Sequence, residues 1–198
     1  MKAYIQSEIT RTAQVLGRMA DDETLALTLA TVSGVCVDAL KNGRKILFAG
    51  NGGSAADAQH LAAELAGRLL FERPALAAMA LTADSAILTA IGNDYGYERV
   101  FARQIEAVGG AGDVFIALST SGHSRNLVCA LERARERGIV TIGVLGAVPG
   151  QMGPLCDHCL HIPDGETQKI QEGHIVVGHI LCALIERALF VPEDRVKA

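Results

Sequence analysis

The stretch "KILFAGNGGSAADAQHLAAEL", residues 45–65, decides the fold. A short apolar run ends in a glycine-rich turn, "GNGGS", and continues as an alanine-rich helix. That is one strand feeding one helix through a tight turn. Further short apolar runs follow: "LAAMALT" (76–82), "DVFIALS" (113–119), "IVTIGVLG" (139–146) and "DHCLHI" (157–162). Helical segments separate them, among them 54–70, 97–108 and 124–137, and a last helix spans about 168–190. Strands alternating with helices indicate an α/β fold, a doubly wound parallel sheet of five strands with helices on both faces. Residues 2–20 and 22–41 read as an N-terminal helical pair. The second is apolar around much of its circumference, the pattern of a helix buried on several sides, here between subunits.

Length and composition support one domain over 1–198, with 1–42 as oligomer-packing helices. Hydrophobic residues make up 49% and aromatics 4%, with no Trp, so the core must be built from Ala, Leu, Ile and Val. The net charge of −4, with both signs interspersed, gives no footprint for a polyanion, so no nucleic acid is expected as ligand. No signal-type apolar segment opens the chain, and no uncharged apolar stretch reaches membrane-spanning length, which predicts a cytoplasmic protein with no membrane partner. Five cysteines, an odd number mostly within apolar runs, read as reduced thiols. "CDHCLH" (156–161) carries a Cys-x-x-Cys pair with two histidines, a pattern of zinc or redox chemistry. No second pair exists to close a four-ligand zinc site, and the run reads as a strand.

In such sheets ligands bind beyond the carboxyl ends of the strands, near the point where strand order reverses. Two loops fall there. "GNGGS" (50–54) lets backbone approach a ligand at Gly52 and Gly53, but it matches neither a dinucleotide fingerprint nor a Walker loop, and Ser54 as a helix cap would also account for it. "STSGHS" (119–124) sets the hydroxyls of Ser119, Thr120, Ser121 and Ser124 at a helix N-terminus, a phosphate cradle if the serines do more than cap. His123 within that loop reads as exposed, and Arg68 and Arg73, near the end of the first sheet helix, read as surface arginines that are solvated or paired.

His60 and Glu64 are spaced i, i+4 on one helix face, as two side chains sharing a metal are. The last helix carries Gln171, Glu172, His174 and His179 among Ile and Val. Gln171 and His179 are about 12 Å apart along the axis, so a shared metal needs converging side chains or ligands from different subunits, and His174 is sterically easier.

Together "GNGGSAADAQHLAAEL", "TAIGNDYGYERVFARQIEA", "GDVFIALSTSGHS" and "IQEGHIVVGHI" closely resemble the bacterial phosphoheptose isomerases of the sugar isomerase (SIS) domain family, over about residues 5–190. The resemblance implies a flavodoxin-like five-stranded sheet and a homotetramer with active sites between subunits. It implies one zinc per subunit, held by His60, Glu64, Gln171 and His179, with His174 outside the set. Substrate contacts carry over to Asn51, Gly52, Gly53, Glu64, Asn93, Asp94, Ser119, Thr120, Ser121, Ser124 and Gln171. Some relatives place an Asp where Gln168 stands here, so any acid/base role of that position is not inherited.

The implied reaction converts sedoheptulose 7-phosphate to D-glycero-D-manno-heptose 7-phosphate, the first step toward heptose for lipopolysaccharide or another surface polysaccharide. Glu64 would be the base and His179 its acid/base partner. Two alternatives stand beside it. One is an isomerase of another sugar phosphate. The other is a non-catalytic SIS protein that binds the replication initiator DnaA, a paralogue lacking the counterparts of Glu64 and His179.

Overall fold

A computed structural model describes residues 1–191; residues 192–198, the end of the expected 1–198 unit, lie outside the described residues. Two long helices, α1 (Lys2–Ala20) and α2 (Glu23–Lys41), precede β1 (Ile46–Ala49). Then come α3 (Gly53–Ala66), β2 (Ala78–Ala80), α4 (Ser85–Tyr95), α5 (Val100–Val108), β3 (Val114–Ser119), α6 (Arg125–Glu136), β4 (Val140–Leu145), β5 (His158–His161) and α7 (Thr167–Phe190). All strand pairs are parallel, in the order β2-β1-β3-β4-β5. The doubly wound reading therefore holds, and the order reverses between β1 and β3.

Every residue of β1 and β3 is buried, as expected of central parallel strands covered on both faces. Side chains alternate between two apolar layers. Ile46, Phe48, Ile116 and Leu118 pack with α1, α2, α3 and α7, whereas Leu47, Ala49, Phe115 and Ala117 pack with α5 and α6. By length and composition α2 and α7 could each cross a membrane, yet both carry charges and lie against this sheet.

Three local readings change. The second strand is only three residues long, and the first sheet helix stops at Ala66 rather than 70. An additional helix, α4, begins where Asp84 accepts from Ile87 N–H at 2.9 Å, and it buries no residue fully.

α3 and α7 lie side by side and parallel, with a sequence offset of about 118 residues maintained along their length. Gln171 faces Gly53, His179 faces His60, and Glu186 meets the backbone of Leu69. Gly178 makes the approach possible, because a Cβ there would lie 2.5 Å from Leu61 Cδ2. The far end is clamped by a buried ion pair, Arg73 Nε to Glu186 Oε1 at 2.8 Å. Glu186 also accepts from Leu69 and Leu70 N–H at 2.9 Å each, while Arg73 donates to the Glu64 and Leu65 carbonyls that end α3. Burial pushes the Glu186 carboxyl up, but these donors outweigh it and hold it below the usual range. Arg73 is thus paired as expected, but as a buried structural residue rather than on the surface. At the other end α1 is tied to α7 by the Arg11–Glu166 ion pair and by buried Lys169, which donates to Thr12 Oγ1 at 2.8 Å.

His174 points from α7 into the core, fully buried, with neither ring nitrogen meeting a hydrogen-bond partner among the described residues. Burial pushes its pKa down to about 4, against a weaker opposite pull from the Leu145 backbone. The unfolded chain therefore takes up a proton near pH 6.5 that the folded chain refuses until about 4, so stability falls as pH drops through that window. The loss should reach about 3 kcal/mol, at 1.36 kcal/mol per unit of pKa difference. Urea unfolding at pH 7 and pH 5 should show about 2 kcal/mol of this decline in the wild type and a flatter dependence in His174→Leu. An unchanged slope in the variant would mean that His174 is not its source.

Candidate functional site

The two loops predicted from sequence open on the same edge of the sheet, after the neighbouring strands β1 and β3, at the reversal point. Neither helix that follows has a side-chain cap. α3 starts at Gly53 with Gly52 as its N-cap, so Ser54 lies buried inside the first turn and is not the cap. Ser124 does hold the N-cap position of α6, but its hydroxyl accepts from no helix N–H and sits 3.3 Å from Ser119 Oγ. Two helix N-termini thus present amide groups to the same mouth, a setting for an anion.

The serine loop is braced from within and from below. Ser119 Oγ accepts from Gly122 N–H at 3.1 Å and Ser121 Oγ from His123 N–H at 3.2 Å, while His123 itself is exposed. Gly122 is required, since its φ is +66° and a Cβ would lie 2.4 Å from Pro149 O. Asn51 ties this loop to the glycine loop. Its amide exchanges two hydrogen bonds with Asn126 of α6, at 2.8 and 3.0 Å, and also accepts from Tyr97 OH at 3.2 Å. Asn126 and Tyr97 were not singled out from the sequence. The available signal was an Asn just inside α6 on its otherwise apolar face.

Along α3 and α7, three of the four expected ligands come together. His60, Glu64 and His179 each offer a donor atom within 4.8 Å of the others. His60 Nε2 lies 2.7 Å from His179 Nε2, with the rings edge to face, and 3.4 Å from Glu64 Oε1. A hydrogen bond at that separation needs one Nε2 to donate and the other to accept, so the two cannot both be protonated there. Two imidazole nitrogens and a carboxylate oxygen, partly open to solvent, suit the three protein ligands of a catalytic zinc. One protomer supplies all three.

Gln171 is placed elsewhere. Its amide covers Gly53, with Nε2 2.5 Å from where a Cβ would stand, about 10 Å along α3 from His60. It belongs with the glycine loop. His174, the sterically easier ligand on spacing alone, faces the core, so His179 is the histidine that joins His60. Asn93 and Asp94 lie on the exposed end of α4, where Asn93 donates to Asp94 at 2.8 Å. Asp57, one turn before His60, has a buried Oδ2 without a partner among the described residues. Burial pushes this carboxyl up, while His60 and His179 pull it down.

The SIS domain family model matches residues 10–146. A phosphoheptose isomerase of Aneurinibacillus thermoaerophilus is 52% identical over 190 residues, covering 96% of both chains. The structure of phosphoheptose isomerase from Neisseria gonorrhoeae superposes with a TM-score of 0.88 at 38% identity, covering 93% of this chain and 98% of that one. For a phosphoheptose isomerase from Francisella tularensis the TM-score is 0.89 at 34% identity, with 93% and 97% covered.

Gly53→Ala tests the role of the glycine loop. The added methyl meets the end of a flexible side chain, so the thermal midpoint should stay close to that of the wild type. Displacing Gln171 and narrowing the mouth should lower kcat/KM about tenfold or more, a loss of about 1.4 kcal/mol in transition-state binding. Unchanged kcat/KM would show that Gln171 does not act from this position.

Proposed function

We propose that this chain, which belongs to the SIS domain family and, through relatives matched over nearly their whole length, to its phosphoheptose isomerases, converts sedoheptulose 7-phosphate to D-glycero-D-manno-heptose 7-phosphate with zinc at His60, Glu64 and His179. The observation that carries this reading is the meeting of those three side chains on the helix that the glycine loop opens. About 10 Å of α3 separates that loop from His60, which favours a long open-chain sugar phosphate over a short one.

Moving the carbonyl from C2 to C1 requires a base to take a proton from C1, an acid to return one to C2, and a proton transfer between the two oxygens. The Ser119, Ser121 and Ser124 hydroxyls, Thr120 and the α6 N-terminus would hold the phosphate, leaving the sugar chain to run past Asn51, Gly52 and Gly53. Gln171 covers the glycine loop and would bond sugar hydroxyls; Asn93 and Asp94 would reach the sugar only from the exposed end of α4. Glu64, half-buried beside His60, would take the C1 proton. His179 would carry the proton between oxygens and assist ring opening. Zinc, when bound, would polarise the carbonyl and diol oxygens as a Lewis acid. A carboxylate held firmly by a cation is a weak base, so Glu64 must bind loosely or shift as substrate arrives.

The same reading includes Gln171 as fourth donor, which from its place on Gly53 requires movement or a neighbouring subunit. It also includes a cytoplasmic homotetramer with active sites between subunits, feeding heptose to lipopolysaccharide or another surface polysaccharide. Exposed apolar side chains such as Leu27 and Ile180, and an α4 with no buried residue, support association through these faces.

Sedoheptulose 7-phosphate followed by NMR tests the reaction. Product should form with native protein, stop after metal stripping and return with zinc. Glu64→Gln should lower kcat by about 10²–10⁴, the range for loss of a general base. Turnover near the wild-type rate in that variant would remove Glu64 as base, and no product from zinc-loaded wild type would remove the substrate assignment.

A further inference from the structure

Cys156 and Cys159 stand apart from the isomerase site. The His60 cluster lies on the sheet face covered by α3 and α7, whereas these thiols pack against the opposite apolar layer at the β5 edge, both half-buried. The short 3-10 turn Gly153–Leu155 ends at Cys156, which donates to Met152 O at 3.3 Å. Cys159, within β5, donates to the next carbonyl, Gly153 O, at 3.8 Å. Gly143 of β4 is the register partner of Cys159, and a Cβ on it would lie 2.9 Å from Cys156 Sγ. The Cys156 sulfur therefore fills the space of the missing side chain, directly beside Cys159.

His161 completes the arrangement. It is two residues beyond Cys159 and so on the same strand face. Its Nδ1 lies 2.9 Å from Gly146 O; a carbonyl only accepts, so Nδ1 carries the proton. The adjacent Cys156 thiol, helped by His161 and against the effect of burial, brings Cys159 down to about 7. The nearby Cys159 thiol, with burial, pushes Cys156 up. Cys36 and Cys182, buried in the other layer, are pushed up to about 12.

We propose that Cys156 and Cys159 form a redox-active dithiol that closes to an intramolecular disulfide by exchange with low-molecular-weight disulfides of the glutathione type. The Cys159 thiolate attacks one sulfur of the small disulfide, forming a mixed disulfide and expelling one thiolate, which takes a proton. Cys156 then gives up its proton and attacks the Cys159 sulfur, releasing the second thiol. Two protein thiols and one small disulfide become one protein disulfide and two small thiols. An attacking thiol whose pKa lies near the ambient pH is best suited to the first step, and an adjacent thiol to the second.

The test uses full-length reduced protein incubated with oxidised glutathione at pH 7, followed by mass spectrometry of the intact chain and its peptides. The wild type should lose two hydrogen masses, in the peptide that holds both residues. Cys156→Ser should stop at a glutathione adduct on Cys159, and Cys159→Ser should form neither product. Alkylation at pH 7 should label Cys159 at least about tenfold faster than Cys36, following thiolate fraction and exposure. A wild type that keeps the mixed disulfide without closing, an adduct that survives Cys159→Ser at this peptide, or equal labelling of Cys159 and Cys36 would each overturn the proposal.

Discussion

The close parallel packing of α3 along α7 is the constraint on which the site depends. Small residues allow it at two points, Gly53 under the Gln171 amide and Gly178 under Leu61. Between them His60 is brought opposite His179, residues that the sequence separates by 119 positions. The Arg73–Glu186 pair then prevents the helices from sliding, because Arg73 also holds the carbonyls of Glu64 and Leu65. A buried pair of this kind adds little net stability over an apolar substitute, while breaking one partner costs about 3–5 kcal/mol. Its placement next to Glu64 makes it a determinant of register as much as of stability.

The second requirement is that two loops remote in sequence share one mouth. Parallel topology supplies this, since β1 and β3 are neighbours and both deliver their helices at the reversal of strand order. The reciprocal Asn51–Asn126 amide pair fixes the distance between the loops, and Tyr97 braces it from the turn after α4. Helix N-termini left without side-chain caps are a cost to the isolated helices. Here both face the mouth, where an anionic group can satisfy them.

Much of this was legible in the sequence because its signals are local. The five apolar runs, the glycine turn and the serine loop each declare themselves within ten residues, and alternation of strands and helices implies the parallel sheet. The limits were equally physical. α4 carries Ile87, Leu88 and Ile91 but buries none fully, so its periodicity marked no core face. Arg73 read as a surface residue because its partner, Glu186, lies on a helix 113 residues away. His174 and His179 could not be told apart by spacing from Gln171, since that choice depends on which side of α7 meets α3. The family resemblance selected His179, and the helix register explains why: Gly178, next to it, packs directly against Leu61 of α3.

Zinc binding by the assembled protein tests the central claim most directly, because it reads the meeting of α3 and α7 without relying on turnover. Competitive chelator titration should find one tight zinc per chain, and His179→Ala, folded by circular dichroism, should bind it at least about a hundredfold more weakly, as loss of a ligand requires. Wild-type affinity in that variant would contradict the account, since the metal would then lie somewhere other than between these two helices.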